Sequence, residues 1–308
     1  MSEKAFRLVT RSDFDGIASA VLLRELGLID EVKFAHPKDV QDGEVEITRT
    51  DITTNLPYSK NAHYAFDHHI SEVTRVGEKS NYIVDPNSPS ATRVVYNMFG
   101  GKEAFPNISE EFLDAVDKAD SAKFTMDEVL NPKGWTLLSF LMDARTGLGR
   151  FHHFNISNYQ LMYDLIDYCH KHKNVEEILR LPDVKERVEL YFAHQDRYKE
   201  MLKRCTNVYG TVGVVDLLNE DVLYTGNRFV EYAIYPSVNV TVRVMWRVMG
   251  KRVVFACGKS IFNRTNKINV GELMLKYGGG GHKNSGTCQV DFENAINIKD
   301  EIISALNG

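Results

Sequence analysis

FRLVTRSDFDGIASAVLLREL, residues 6–26, holds a strand, a turn and a helix in close succession. Phe6 to Thr10 is a short run of β-forming residues, whereas Ile17 to Leu26 is apolar nearly all round and reads as a buried helix. Between them Asp13 and Asp15 stand one residue apart on a turn closed by Gly16. Serine, aspartate and glycine are ordinary turn residues. Two neighbouring carboxylates nevertheless repel unless a cation sits between them, and a divalent metal would serve.

The same alternation continues outward. Val32 to Ala35, Val45 to Thr48 and Tyr64 to Phe66 read as further strands, and Ala91 to Phe99 and Glu110 to Ala119 as helices. Strands alternating with helices predict an α/β fold, doubly wound around a mainly parallel sheet. Residues 156–205 read as helical, with Pro182 marking a break. From Val238 to Val248 the text alternates strictly, valines and Trp246 on one face, and Met249-Gly250-Lys251 turns it into RVVFACG. The expected organisation is a catalytic domain over 1–180, a helical connector over 181–206, and a smaller C-terminal α+β domain over 207–308 with a cleft between the domains.

Composition narrows the function. With 308 residues, 43% hydrophobic and 26% charged, the chain can bury a sizeable core. Its net charge of -5 excludes a broad basic field for long duplex nucleic acid, so an anionic ligand must be short and gripped locally. Cys169, Cys205, Cys257 and Cys288 form no C-x-x-C pair and read as thiols of a reducing cytoplasm. The opening MSEKAFRLVT carries no leader-like apolar run, and no stretch reaches the roughly 18 apolar residues of a spanning helix, so no membrane partner is expected.

Acidic and imidazole groups recur at predicted strand ends. Asp13 and Asp15 follow FRLVT, Asp51 follows VEIT, and Asp67-His68-His69 follows HYAF. In a parallel sheet those ends line one edge, where ligands bind. Each group alone has an everyday explanation in a solvated turn, but adjacent histidines after an aspartate have no evident packing use. A carboxylate-rich site with imidazole suits Mn²⁺ better than Zn²⁺, and two ions about 3.5–4 Å apart would activate water for in-line attack on a phosphoryl group. Asp117 or Asp120 could add a further ligand; Asp120, where the helical pattern ends, is preferred over Asp117, which reads as a charged helix position.

Tyr277 to Cys288, YGGGGHKNSGTC, places four glycines between helical and strand text. Such a run is costly inside a helix or strand. As a loop it would bring backbone N–H groups close to an anion, with His282 and Lys283 adding charge.

DFDG, DHH about fifty residues later and GGGGH near the C-terminus together resemble the DHH/DHHA1 phosphoesterase superfamily, in an order that covers almost the whole chain. The resemblance implies a di-manganese catalytic domain, with Mg²⁺ or Co²⁺ as substitutes, and a smaller substrate-holding domain. Carried over by position, Asp13, Asp15, Asp51, His68 and Asp120 would be metal ligands, with Asp67 and His69 catalytic. Gly279, Gly280, Gly281 and His282 would form the substrate loop. Two departures stand out: Arg11 replaces the histidine of an H-x-D-x-D motif, and the arginine before the glycine loop is displaced, leaving Asn263 or Arg264 in its place. Arg11 could hold a phosphate oxygen or simply be a surface charge, and Arg264 could be a solvated loop charge. Residues 131–156 map onto nothing in the family; Arg145, Arg150, Phe151, His152 and His153 there could stack on bases, although helical packing with a polar loop is the plainer reading. The implied activity is hydrolysis of very short 5′-phosphorylated oligonucleotides, pGpG first among them, to mononucleotides. The alternatives are an exopolyphosphatase and a nucleotide-binding regulator with an impaired centre. Oligomeric state, a homodimer included, is left open.

Overall fold

The computed structural model describes residues 5–308, which divide into two compact units: residues 5–124 with 132–190, and residues 125–131 with 191–308. Strands of the first unit are β1 (Phe6–Thr10), β2 (Ile29–Phe34), β3 (Asp51–Thr54), β4 (Tyr64–Asp67) and β5 (Tyr82–Val84). They form one sheet in the order β2-β1-β3-β4-β5, parallel throughout. This is the α/β sheet that the alternation of the sequence predicts. The order reverses direction at β1 and β3, and a ligand crevice forms where such a reversal leaves the carboxyl ends open.

The helix Phe14–Glu25 leaves β1 through that reversal point, and Phe14 to Leu23 are all buried. Asp13 caps it, its side chain accepting from Gly16 N. A Cβ on Gly16 would lie 2.0 Å from Arg11 O and 2.8 Å from Thr10 Oγ1. Only glycine lets the helix turn so tightly against the strand that precedes it.

One expected strand moves. Residues 45–48 form no strand; β3 is Asp51–Thr54, paired with β1 through Arg7–Asp51 to Thr10–Thr54. All four β3 residues are buried. Thr54 Oγ1 donates to Thr10 Oγ1 at 2.7 Å, and Thr10 Oγ1 donates to Thr54 O at 3.1 Å, whereas Thr53 Oγ1 is buried without a hydrogen-bond partner.

The second unit carries β6 (Thr206–Tyr209), β7 (Val212–Asp216), β8 (Val240–Val248), β9 (Arg252–Lys259), β10 (Gly280–His282) and β11 (Ser285–Asp291). They form a mixed sheet in the order β10-β11-β9-β8-β7-β6, antiparallel except for β7 against β8. The valine face of β8 buries Val240, Val242 and Val244 with Phe255, Met274 and Ile302. The helix Pro182–Cys205 opens at Pro182, where the missing N–H costs nothing. No described helix is long and apolar enough to cross a membrane.

Candidate active site

Three of the expected metal ligands converge in the first unit. Asp15, His68 and Asp120 each offer a donor atom, and all of these lie within 4.8 Å of one another. Asp15 sits in the first turn of the helix after β1 and reaches the N-terminus of the helix Ala91–Met98. Its Oδ2 accepts from Ala91 N at 3.1 Å, and its Oδ1 from Thr92 N at 2.8 Å and Thr92 Oγ1 at 2.7 Å. These donors are neutral, so the carboxylate is oriented without its charge being cancelled. His68 follows β4, and its Nδ1 lies 3.2 Å from Ser88 O. A proton held there leaves the Nε2 lone pair for a cation. Asp120 ends the helix Glu110–Asp120, with Oδ2 3.0 Å from His68 Nε2.

Electrostatics mark the same cluster. Burial raises the Asp15 carboxyl, and nearby Asp120 raises it further. Burial alone would lower His68, but Asp120 outweighs it and lifts the ring to about 9. Asp120, which burial would raise, is held below the usual carboxylate range by His68. Without a cation the cluster therefore carries protons that a divalent ion would displace. The donor set fits such an ion. His68 Nε2 is buried and, despite its closeness to Asp120, makes no aligned hydrogen bond. The side chain of Asn55, at another strand end of the same sheet, is also left without partners. It stands just beyond β3 in the left-handed region (φ 54°), is 2% exposed, and neither polar atom of its side chain has a hydrogen-bond partner.

Asp67 and His69 form a second group around the same strand end. Asp67 is 1% exposed. Its Oδ1 accepts from His68 N at 2.8 Å, His69 N at 3.3 Å and His69 Nδ1 at 2.7 Å, while Oδ2 takes the Tyr82 hydroxyl at 3.2 Å. Both oxygens are engaged, so Asp67 orients the DHH backbone and fixes the His69 ring with its Nε2 available.

Other expected ligands are placed differently. Asp13 Oδ1 accepts from Gly16 N, and Oδ2 is ion-paired to Arg11 Nε at 3.0 Å. Burial raises Asp13 despite this pairing, and Arg11 is raised by Asp13, with Asp120 and Asp15 acting on it too. Asp51 requires a correction. It opens β3 instead of following a strand, at the amino end of the sheet and away from the other acids. There Arg7 Nε and Nη2 reach its two oxygens at 2.8 and 2.9 Å, and Thr48 N donates at 2.6 Å. Asp51 is a structural anchor. Asp117 is similarly occupied, accepting from Ser90 Oγ at 2.6 Å and Arg93 Nε at 2.8 Å, which leaves Asp120 as the acid beside His68.

In the second unit the glycine run is not an open loop. Gly280–His282 forms β10, an edge strand paired with β11. A Cβ on Gly279 would meet Thr287 O at 2.0 Å, and one on Gly281 (φ 152°) would meet Ser285 O at 2.3 Å; one on Gly280 would meet nothing within 4 Å. Close approach within the hairpin thus explains two of the glycines, and Gly280 is left open. His282 is exposed, with Ser285 Oγ 2.9 Å from its Nε2. Asn263, half-buried, donates to Ser237 O at 3.2 Å, and exposed Arg264 donates from Nε to Ile261 O at 3.1 Å. Lys259 lies beside the hairpin, its N donating to Asn284 O; burial lowers its amine, and Lys283 and Lys267 lower it further.

Sequence reasoning missed Asn55, although an asparagine directly after a buried strand is a signal, since asparagine tolerates the left-handed conformation. It also underrated Arg145, whose charge acts on Asp13 and whose Nε is held by Asp143 Oδ1 at 2.7 Å.

The chain is similar over its whole length to a solved structure, the pGpG-specific phosphodiesterase PggH from Vibrio cholerae. Identity is 53%, the TM-score is 0.84, and the match covers 98% of this chain and 99% of that one. CDC45 from Entamoeba histolytica shares the fold at 8% identity and a TM-score of 0.51, covering 99% of this chain and 96% of that one. No family model matches the chain, nor does any curated protein.

Proposed function

Because the chain belongs to the DHH/DHHA1 phosphoesterase superfamily, we propose that it is a phosphodiesterase hydrolysing the linear dinucleotide pGpG to two molecules of GMP. The observation that carries this is 53% identity, over 98% of the chain, to a pGpG-specific phosphodiesterase. The intact Asp15–His68–Asp120 cluster argues against a regulator that has lost its catalytic centre.

Asp15, His68 and Asp120 would hold a divalent cation, and manganese suits their mixed oxygen and imidazole character. Such a cation supplies Lewis-acid stabilisation of the phosphoryl charge and makes water acidic enough to attack near neutral pH. The protein's own groups do the rest. The Asp67 carboxylate fixes the His69 tautomer with the proton on Nδ1. Nε2, unprotonated in that tautomer, would take a proton from the water that adds to phosphorus and pass it to the 3′-oxygen leaving the first nucleotide. Arg11 is suited to a phosphate oxygen, because guanidinium stays charged and offers paired N–H groups. We assign the chemistry to the first unit and substrate holding to the second. There Gly279, Gly280, Gly281 and His282, with Asn263, Arg264 and the neighbouring lysines, would contact the terminal phosphate. Four free, buried thiols support a reducing, cytoplasmic setting.

The test is product analysis. Manganese-loaded protein is incubated separately with pGpG, pApA, longer RNA, cyclic dinucleotides and polyphosphate. GMP from pGpG, at a rate well above every other substrate, is the expected result; shortening of polyphosphate alone would overturn the assignment.

A further inference from the structure

The acidic groups around the site are not equally free to balance a cation. Asp15 and Asp120 bring two negative charges to the cluster they share with His68, which matches one divalent ion. Asp13 has one oxygen on Gly16 N and the other paired with Arg11. Asp67, His68 and His69 also present donor atoms within 4.8 Å of one another, but the Asp67 carboxylate is turned to His69 Nδ1 and the Tyr82 hydroxyl, so this group draws on the same His68 as the first and adds no separate pocket of free carboxylates. Asp51 lies at the other end of the sheet with Arg7. Asn55 occupies the carboxyl end of β3, its N donating to Phe66 O at 3.1 Å. It stands between the strand that leads to Arg11 and the strand that leads to His68. Its carboxamide can offer an oxygen but no charge. A second dication here would find a neutral side chain, a carboxylate already neutralised, and a permanent positive charge.

We propose that the site holds a single divalent ion, and that the Arg11 guanidinium, seated on Asp13 at the end of the strand next to the one Asn55 follows, takes the place of a second one. The inference rests on the reading of Asp15, His68 and Asp120 as the ion site. Arg11 then supplies a fixed positive charge for the phosphoryl group that needs no ion uptake. Its side chain is 36% exposed, so a phosphate can reach it.

Metal content and spectroscopy test this without reference to turnover. Metal-free protein is loaded with Mn²⁺ and desalted, manganese per chain is measured by mass spectrometry, and the electron paramagnetic resonance spectrum is recorded. One ion per chain with the six-line signal of isolated Mn²⁺ is expected. Two ions with an exchange-coupled spectrum would overturn the inference and leave the ion site itself standing. No retained ion would overturn the reading of the cluster, and the inference with it. In the double variant Arg11→His, Asn55→Asp, uptake should rise from one ion towards two, with coupling appearing. Retention of one ion by a folded double variant would overturn the role given to Arg11 and Asn55.

Discussion

Asp67 Oδ1 accepts a hydrogen bond from His69 Nδ1 at 2.7 Å while Tyr82 occupies the other carboxylate oxygen. The aspartate of the DHH motif is therefore spent on aiming a neighbour. The two histidines then differ in surroundings: His68 lies against Asp120 with 12% of its side chain exposed, whereas His69 is 38% exposed.

Asp67→Asn should keep the fold and the bound metal but loosen the His69 tautomer. We expect kcat on pGpG to fall about 10–100-fold, the usual scale for groups that orient an active side chain, with little change in KM. Steady-state kinetics beside a metal assay checks this. Loss of metal equal to the loss of rate would instead mark Asp67 as a ligand.

Asp51→Asn should do the opposite. The Arg7 pair and the Thr48 donors hold Asp51 below the ordinary carboxylate range, although burial opposes this. A depressed folded-state pKa means that the stabilisation is present above the unfolded value near 3.8 and is lost as pH falls through the folded value. The variant should lose about 2 kcal/mol at pH 7, less than the ~3–5 kcal/mol of a fully buried pair because Arg7 is a quarter exposed. Wild type and variant should converge below pH 4 in denaturant unfolding, and kcat should be unchanged.

The glycine hairpin separates packing from binding. Gly279→Ala forces a methyl into Thr287 O and should cost about 3 kcal/mol or more, seen as a lowered Tm. Gly280→Ala meets open space and should leave Tm within a degree or two. A raised KM for pGpG in that variant, with Tm kept, would place the substrate against β10; an unchanged KM would remove Gly280 from the binding surface.

Much of this architecture was legible in the residues. The buried helix after FRLVT, the alternation of β8 and the meeting of Asp15 with His68 follow from periodicity and from the geometry of a parallel sheet, whereas Asp120 beside them, at a helix end, follows from where the helical pattern stops and from the family resemblance. The failures have physical causes. VEIT has the better strand composition, yet DITT forms β3, where Arg7 pairs with Asp51 and the Thr54 hydroxyl finds Thr10 inside the sheet. That shift carried Asp51 to the wrong edge and hid Asn55. The cost of glycine in strands makes the glycine run look like a loop in the sequence. Here the hairpin backbones approach too closely for side chains at Gly279 and Gly281, and the cost is accepted for that contact.

Anomalous diffraction at the manganese edge, from crystals soaked in Mn²⁺, addresses the account most directly. A peak among Asp15 Oδ, His68 Nε2 and Asp120 Oδ, with none beside Asp51, is the predicted result. Manganese bound elsewhere, with His68 still paired to Asp120 alone, would contradict it.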